Sequence, residues 1–407
     1  MKIEVINTGT EILLGHVTNT HLAYLAKELF SIGYRIERQI TVPDGEGIRE
    51  ALSESLKRAD LIIITGGLGP TSDDITREIS AELLDKSLEF VPEIWTHIVE
   101  RFQRRQKTPA GNNLRQAMVP EGATFLQNEN GTAPGLIIPY RHLVVVLLPG
   151  PPRELTSMWK NQAFPWLKEN LFKSTEIVQK QWRILGIGES DVEKEIEPKL
   201  RAIGLTEIGY CARAGEVDLR VISSNLSHLD QAHEIVSKTF NEAIYSLGNE
   251  TMEEIVVALA QAKKKKIATA ESCTGGFIAH RLTLVPGCSS VFEFGWVTYA
   301  NEAKIKELHL PSSTLDQFGA VSRETVLAMA SGALQESNAD ISIAVSGIAG
   351  PTGGTAKKPV GSCWIAWATK ERVWAEHYLL SQNRENFKMM ASQLALDGVR
   401  RWLNSLD

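Results

Sequence analysis

Two short apolar runs constrain this chain more than any other feature. Leu61 to Ile64, and Leu143 to Leu148, show no alternation of apolar and polar residues. A strand that is apolar on both faces belongs inside a parallel sheet with helices on each side. Each run ends in a chain breaker: Gly66-Gly67-Leu68-Gly69-Pro70 after the first, Pro149-Gly150-Pro151-Pro152 after the second. Around them, strand and helix patterns alternate. Residues 2–6 and 34–42 read as strands. Leu22, Leu25, Ala26 and Leu29 have helical spacing, as do Ile48, Ala51, Leu52 and Leu56, and helices are expected around 73–84 and 93–107. The pattern predicts an α/β domain over residues 1–170, with ligands at the carboxyl ends of its strands.

The pattern then changes. Residues 181–186, 208–212 and 217–223 read as strands. Residues 191–203 and 228–245 read as helices, the first interrupted by Pro198. A small α+β module over 175–248 fits. From residue 250 onward, strands are expected at 267–270, 291–298, 341–345, 363–368 and 373–379, with helices between them and a last helix over 384–403. Three domains agree with a length of 407 residues. The lysine run 263–266 reads as a solvated helix end.

Composition excludes several classes. Charged residues are 23% and hydrophobic residues 43%, which rules out a largely disordered chain. A formal charge of −6 argues against a protein that coats nucleic acid. No apolar stretch is long enough to span a bilayer, and the acid within Met-Lys-Ile-Glu-Val-Ile argues against a signal peptide. Cys211, Cys273, Cys288 and Cys363 form no C-x-x-C pair, so no structural zinc is expected. A cytoplasmic location follows as the expectation.

Three segments near the C-terminus carry chemistry. Ala270-Glu271-Ser272-Cys273-Thr274-Gly275-Gly276 joins a strand to a helix, so Ser272 is presented as a nucleophile, or Ser272 and Thr274 serve as helix caps. No histidine sits beside it to act as base. Thr298-Tyr299-Ala300-Asn301-Glu302-Ala303-Lys304 offers Tyr299 and Lys304, and a lysine is a base only when it is desolvated or placed beside another cation. Ser346-Gly347-Ile348-Ala349-Gly350-Pro351 suits the cradling of a phosphate, and Arg384 its clamping, though a flexible loop and a solvated arginine are equally ordinary readings.

These motifs, with Gly319-Ala320-Val321-Ser322 and Lys358-Pro359-Val360-Gly361 in the same order, resemble the C-terminal domain of the CinA family over residues 250–407. The resemblance implies a nicotinamide mononucleotide deamidase that releases nicotinate mononucleotide and ammonia without a cofactor. It implies Ser272 as nucleophile and Lys304 as base, with Tyr299 nearby. It also implies Ser346, Gly347, Gly350 and Arg384 toward the phosphate. Amides around Thr274, Gly275 and Gly276 would form the oxyanion hole.

In the first domain, Thr65-Gly66-Gly67-Leu68-Gly69-Pro70-Thr71-Ser72-Asp73-Asp74-Ile75-Thr76 places glycines and acids after a central strand. Glycines beside carboxylates suggest phosphate bridged by a divalent metal, and Asp73 and Asp74 also suit helix capping. The segment resembles the molybdopterin-binding fold, whose loop reads G-G-T-G and ends in Asp-x-Thr; Leu68 replaces the threonine. In full-length CinA proteins this domain is similar to an ADP-ribose pyrophosphatase. That implies ligand contacts at Gly66, Gly67, Gly69, Thr71 and Gly150, and a divalent ion on Asp74 and Asp44. The middle module resembles the family's KH-like segment, but its Gly186-Ile187-Gly188-Glu189 carries an acid where a nucleic-acid loop needs bases. The fold expectation is therefore α/β: a molybdopterin-binding-like three-layer domain, a small KH-like α+β module and an α/β deamidase domain. The expected partners are nicotinamide mononucleotide, ADP-ribose and a second copy in a homodimer, with no membrane and no nucleic acid. The rival is a non-enzymatic partner in DNA uptake or repair, or a molybdopterin-type binder.

Overall fold

The computed structural model describes residues 1–173, 178–380 and 383–406. The chain forms two compact units, 1–177 and 178–407. The expected start of the middle module, 175–177, lies outside the described residues.

In the first unit a six-stranded sheet is built from β1 (Ile3–Thr8), β2 (Ile36–Val42), β3 (Leu61–Thr65), β4 (Thr124–Leu126), β5 (Gly135–Tyr140) and β6 (Leu143–Leu148). Its order is β2-β1-β3-β6-β5-β4. β2, β1, β3 and β6 are parallel; β5 runs antiparallel to β6, and β4 antiparallel to β5. All five residues of β3 and all six of β6 are buried, because both sheet faces are covered. One face packs on α1 (His21–Phe30) and the segment around Trp159, the other on α2 (Gly47–Ser55) and α3 (Thr76–Leu83). The chain leaves β1 toward β2 on one side and reaches β3 on the other. That reversal opens a crevice at the strands' carboxyl ends.

The second unit holds two sheets. The first is antiparallel: β7 (Val178–Leu185), β8 (Glu207–Arg213), β9 (Glu216–Ser223) and β10 (Ile244–Ser246), in the order β8-β9-β7-β10. α4 (Glu189–Ala202) and α5 (Leu226–Phe240) share its core. Pro198 does not interrupt α4 as the sequence predicts. It sits on the exposed face, where the freed carbonyl meets water. Val192, Ile196 and Leu200 are fully buried at i, i+4 and i+8. Each stabilises by about 1.5–3 kcal/mol, which together exceeds a proline cost of about 3 kcal/mol.

The second sheet comprises β11 (Ile267–Glu271), β12 (Phe292–Val297), β13 (Ile341–Gly347), β14 (Ser362–Thr369) and β15 (Val373–Leu379), in the order β12-β11-β13-β14-β15. β12, β11 and β13 are parallel, so their carboxyl ends share one edge. α6 (Met252–Ala262), α7 (Phe277–Leu284) and the long final helix cover one face; α8 (Asn301–Leu308) and α9 (Arg323–Glu336) cover the other. The final helix is α10 (Arg384–Asn404). Of the four lysines expected in solvent, Lys265 pairs with Asp340 and Lys266 with Glu293. No helix among the described residues is long and apolar enough to cross a membrane.

Where α9 crosses the end of α8, Gly332 lies against the Leu308 main chain, and a Cβ there would overlap the Leu308 carbonyl. Gly332→Ala is expected to destabilise by about 1–3 kcal/mol through this overpacking, read as a lower midpoint in chemical denaturation. An unchanged midpoint would show that the two helices separate freely.

Candidate active site and nucleotide pocket

The C-terminal site is assembled by the turn after β11. Ser272 N–H donates to the Val345 carbonyl at 3.0 Å, extending the β11–β13 ladder by one residue. The chain then reverses through Gly275 and Gly276, whose φ of 62° and 89° favour glycine. Glu271 is buried, and its carboxylate accepts the N–H groups of Ile278 at 3.0 Å and Ala279 at 2.8 Å. It thereby satisfies donors of the first turn of α7 and fixes the turn between strand and helix. Ser272 is therefore not the helix cap. The sequence reading missed Glu271, although an acid six residues before a helix start was a visible signal.

Lys304 is fully buried. Its Nζ lies 3.3 Å from Ser272 Oγ, 2.7 Å from the Thr298 carbonyl and 3.1 Å from the Tyr299 carbonyl. Three neighbours match the tetrahedral amine. When neutral, two N–H groups go to the carbonyls and the lone pair faces the serine hydroxyl. Burial holds the lysine below its ordinary pKa, against smaller opposing effects of Cys273 and Glu302.

The other expected residues divide. Among the described residues, the N–H groups of Cys273, Thr274 and Gly276 have no acceptor, whereas Gly275 N–H is taken by the Ser272 carbonyl. Thr274 is buried and its hydroxyl is unpartnered. The Tyr299 hydroxyl accepts from Arg384 Nη2 at 2.9 Å, and Arg384 Nη1 donates to the Gly350 carbonyl at 3.0 Å. Arg384 thus ties two loops of the site together. Ser346 and Gly347 do not form a phosphate cradle. The Ser346 hydroxyl is spent on the Ala320 carbonyl at 2.7 Å, and Gly347 is the last residue of β13, paired with Cys363. Lys388, missed in the sequence, follows Arg384 by one helical turn. Its Nζ lies 4.0 Å from where a Gly275 Cβ would be, and 5.6 Å from the centre of the Phe277 ring. Two cations thus flank the serine turn.

In the first unit, Thr8, Asp44, the loop Gly66–Pro70, Asp74, Gly150 and Glu11 line a cavity of about 310 Å3 at the ends of β1, β2, β3 and β6. Leu68, where the motif has threonine, lines this cavity while its side chain packs into the core cluster. Asp74 accepts from Thr71 N–H at 3.0 Å and from its hydroxyl, and α3 begins only at Thr76. The expected helix start at Asp73 is thus a closed turn. Asp44 accepts from Thr8 Oγ1 at 2.8 Å and Thr10 N–H at 2.9 Å. No group of three His, Cys, Asp or Glu gathers for a metal among the described residues. In the middle module, Glu189 accepts Ala212 N–H at 2.9 Å, so the Gly186–Glu189 loop is held within its own sheet.

Comparison with known proteins places this architecture. Residues 249–403 match the CinA C-terminal domain, residues 4–169 the "Probable molybdopterin binding domain", and residues 179–268 the damage-inducible protein CinA KH domain. A CinA-like protein of Akkermansia muciniphila is 45% identical over 402 residues, covering 98% of this chain and 97% of its own. A relative from Caldicellulosiruptor saccharolyticus, named for competence-damage induction, is 41% identical, covering 98% and 99%. The solved competence/damage inducible protein CihA of Agrobacterium tumefaciens is 39% identical, covering 39% of this chain and 99% of its own at a TM-score of 0.37. Three domain matches in the same order, and full-length relatives at this identity, mean that the chain belongs to the CinA family.

Proposed function

We propose that the C-terminal site deamidates nicotinamide mononucleotide by a Ser–Lys mechanism. The observation that carries this reading is the buried Lys304 amine, 3.3 Å from Ser272 Oγ, with its two other contacts to carbonyls. Deprotonating an ordinary lysine at pH 7 costs roughly 5 kcal/mol. Desolvating its charged form costs several kcal/mol, so the neutral amine becomes accessible. Lys304 takes the Ser272 proton as Oγ adds to the carboxamide carbon. The oxyanion faces the unspent amides of Thr274 and Gly276. Lys304 then protonates the departing amine, ammonia leaves, and water attacks the acyl-serine with Lys304 again as base. Arg384 and Lys388 would hold the phosphate at the rim.

For the first unit, the proposal is cleavage of ADP-ribose in the crevice at the ends of β1, β2, β3 and β6. A divalent ion arriving with the diphosphate would find Asp44 and Asp74, and would supply positive charge to the phosphates. The proposed assembly is a homodimer in the cytoplasm.

Ser272→Ala is expected to lower ammonia release from nicotinamide mononucleotide by about a thousandfold or more, and Cys273→Ala by no more than a few-fold. The reverse pattern would reassign the nucleophile. Turnover should rise with pH, because the base works only when neutral, and the inflection should fall below the ordinary lysine range in the direction burial dictates. Folded Lys304→Arg should be as inactive as Lys304→Ala, since guanidinium keeps its proton; substantial turnover would show that position 304 supplies only charge. Asp74→Asn and metal chelation should each suppress AMP release from ADP-ribose while leaving ammonia release intact. Equal loss of both activities would defeat the assignment of separate pockets.

A further inference from the structure

The hairpin of the middle module reaches the helices of the C-terminal site. The turn between β8 and β9 is Ala214-Gly215, and Gly215 abuts α10: a Cβ on it would lie 3.4 Å from Met390 Cγ. The next residue, Glu216, is nearly buried, with a side chain only 10% exposed. One of its carboxylate oxygens accepts from the Tyr245 hydroxyl at 2.6 Å and from Gln393 Nε2 at 2.6 Å. Burial and the Glu216 carboxylate push the Tyr245 pKa up, so the phenol keeps the proton it donates.

The chain of contacts continues. The Gln393 oxygen accepts from Arg281 Nη2 at 2.5 Å, and Arg281 Nη1 donates to Ser392 Oγ at 2.8 Å. Arg281 also binds Glu253 of α6 at 2.6 Å. Arg281 stands on α7, the helix that starts at the serine turn. Gln393 and Ser392 stand on α10, the helix whose first turns carry Arg384 and Lys388. Glu216 is therefore the end anchor of the bridge that sets these two helices against each other. A crevice of about 370 Å3 runs alongside it, lined by Phe277, Arg281, Met389 and Glu216 among others.

We propose that Glu216 of the middle module is a positioning residue for the C-terminal site. Through Gln393 and Arg281 it fixes the spacing between the serine turn on α7 and the cationic pair on α10. The activity part of this inference rests on the deamidase reading. It implies that the module contributes to substrate affinity rather than to bond making, because Ser272 and Lys304 are held by β11, β12 and α8 instead.

The test uses the full chain in three variants. Glu216→Ala leaves Tyr245 and Gln393 without their acceptor. Glu216→Gln keeps an oxygen that can accept both bonds. Asp230→Asn, which breaks the exposed Lys180–Asp230 pair of the same module, is the control. In Glu216→Ala, amide hydrogen exchange in α7 and the first turns of α10 should speed up by about tenfold, with β11 unchanged. KM for nicotinamide mononucleotide should rise about fivefold with kcat within about twofold. Glu216→Gln should restore both readouts, and Asp230→Asn should move neither. Unchanged exchange in α7 and α10, or a uniform rise across the unit, overturns the clamp even if deamidation is robust. The local rise in exchange with no ammonia release from the unmutated protein supports the clamp and defeats the deamidase reading.

Discussion

The C-terminal site depends on one cation that has been denied water. Lys304 is held by two main-chain carbonyls and a serine hydroxyl, with nothing acidic in direct hydrogen-bond contact among the described residues. A carboxylate partner would stabilise the charged amine and abolish its use as a base. Carbonyls satisfy two N–H groups of the neutral form equally well. The burial that makes this possible comes from α8 lying against α9 and the end of β11, so the chemistry is a consequence of helix packing on one face of the sheet.

The two α/β sheets use the same geometrical device for different ends. In each, parallel strands stop at a common edge, and the chain turns there through glycines before entering a helix. In the first unit the edge is lined by main chain and carboxylates. In the second it presents a hydroxyl and an amine, with arginine and lysine at the rim. The middle module joins the second unit through a network of buried polar groups. Breaking such a network at one member costs more than any one of its bonds contributes, because the partners are left buried and unpaired.

Much of this was legible in the sequence, for physical reasons that can be named. The unbroken apolar runs announce central parallel strands, and glycine-rich breaks mark where the chain must turn at their ends. Ser272 and Lys304 stood out through the resemblance of their motifs, because a serine before a helix also reads as a cap and a lysine within one as a solvated side chain. Other features depend on neighbours distant in sequence. Ser346 looks like part of a phosphate loop until Ala320, 26 residues away, takes its hydroxyl. Leu68 looks like a damaged motif until it is seen filling the core below the loop. Pro198 misleads because propensity is local, whereas the three buried aliphatic residues that override it act through tertiary packing. Glu216 and Gln393 are 177 positions apart, and neither has a local pattern that would announce the pair.

The grip on Lys304 by carbonyls has a consequence for how the site tolerates change. A side-chain anchor is lost when one codon changes; a carbonyl is carried by every amino acid. The identities of residues 298 and 299 thus bear on the amine through the path they give the chain, Thr298 by its burial and Tyr299 by its bond to Arg384. The path of the chain between the end of β12 and the start of α8 is what must be kept. Insertions, deletions or prolines in that short connection would displace the amine. Sequence drift in this segment should therefore be poor in length changes.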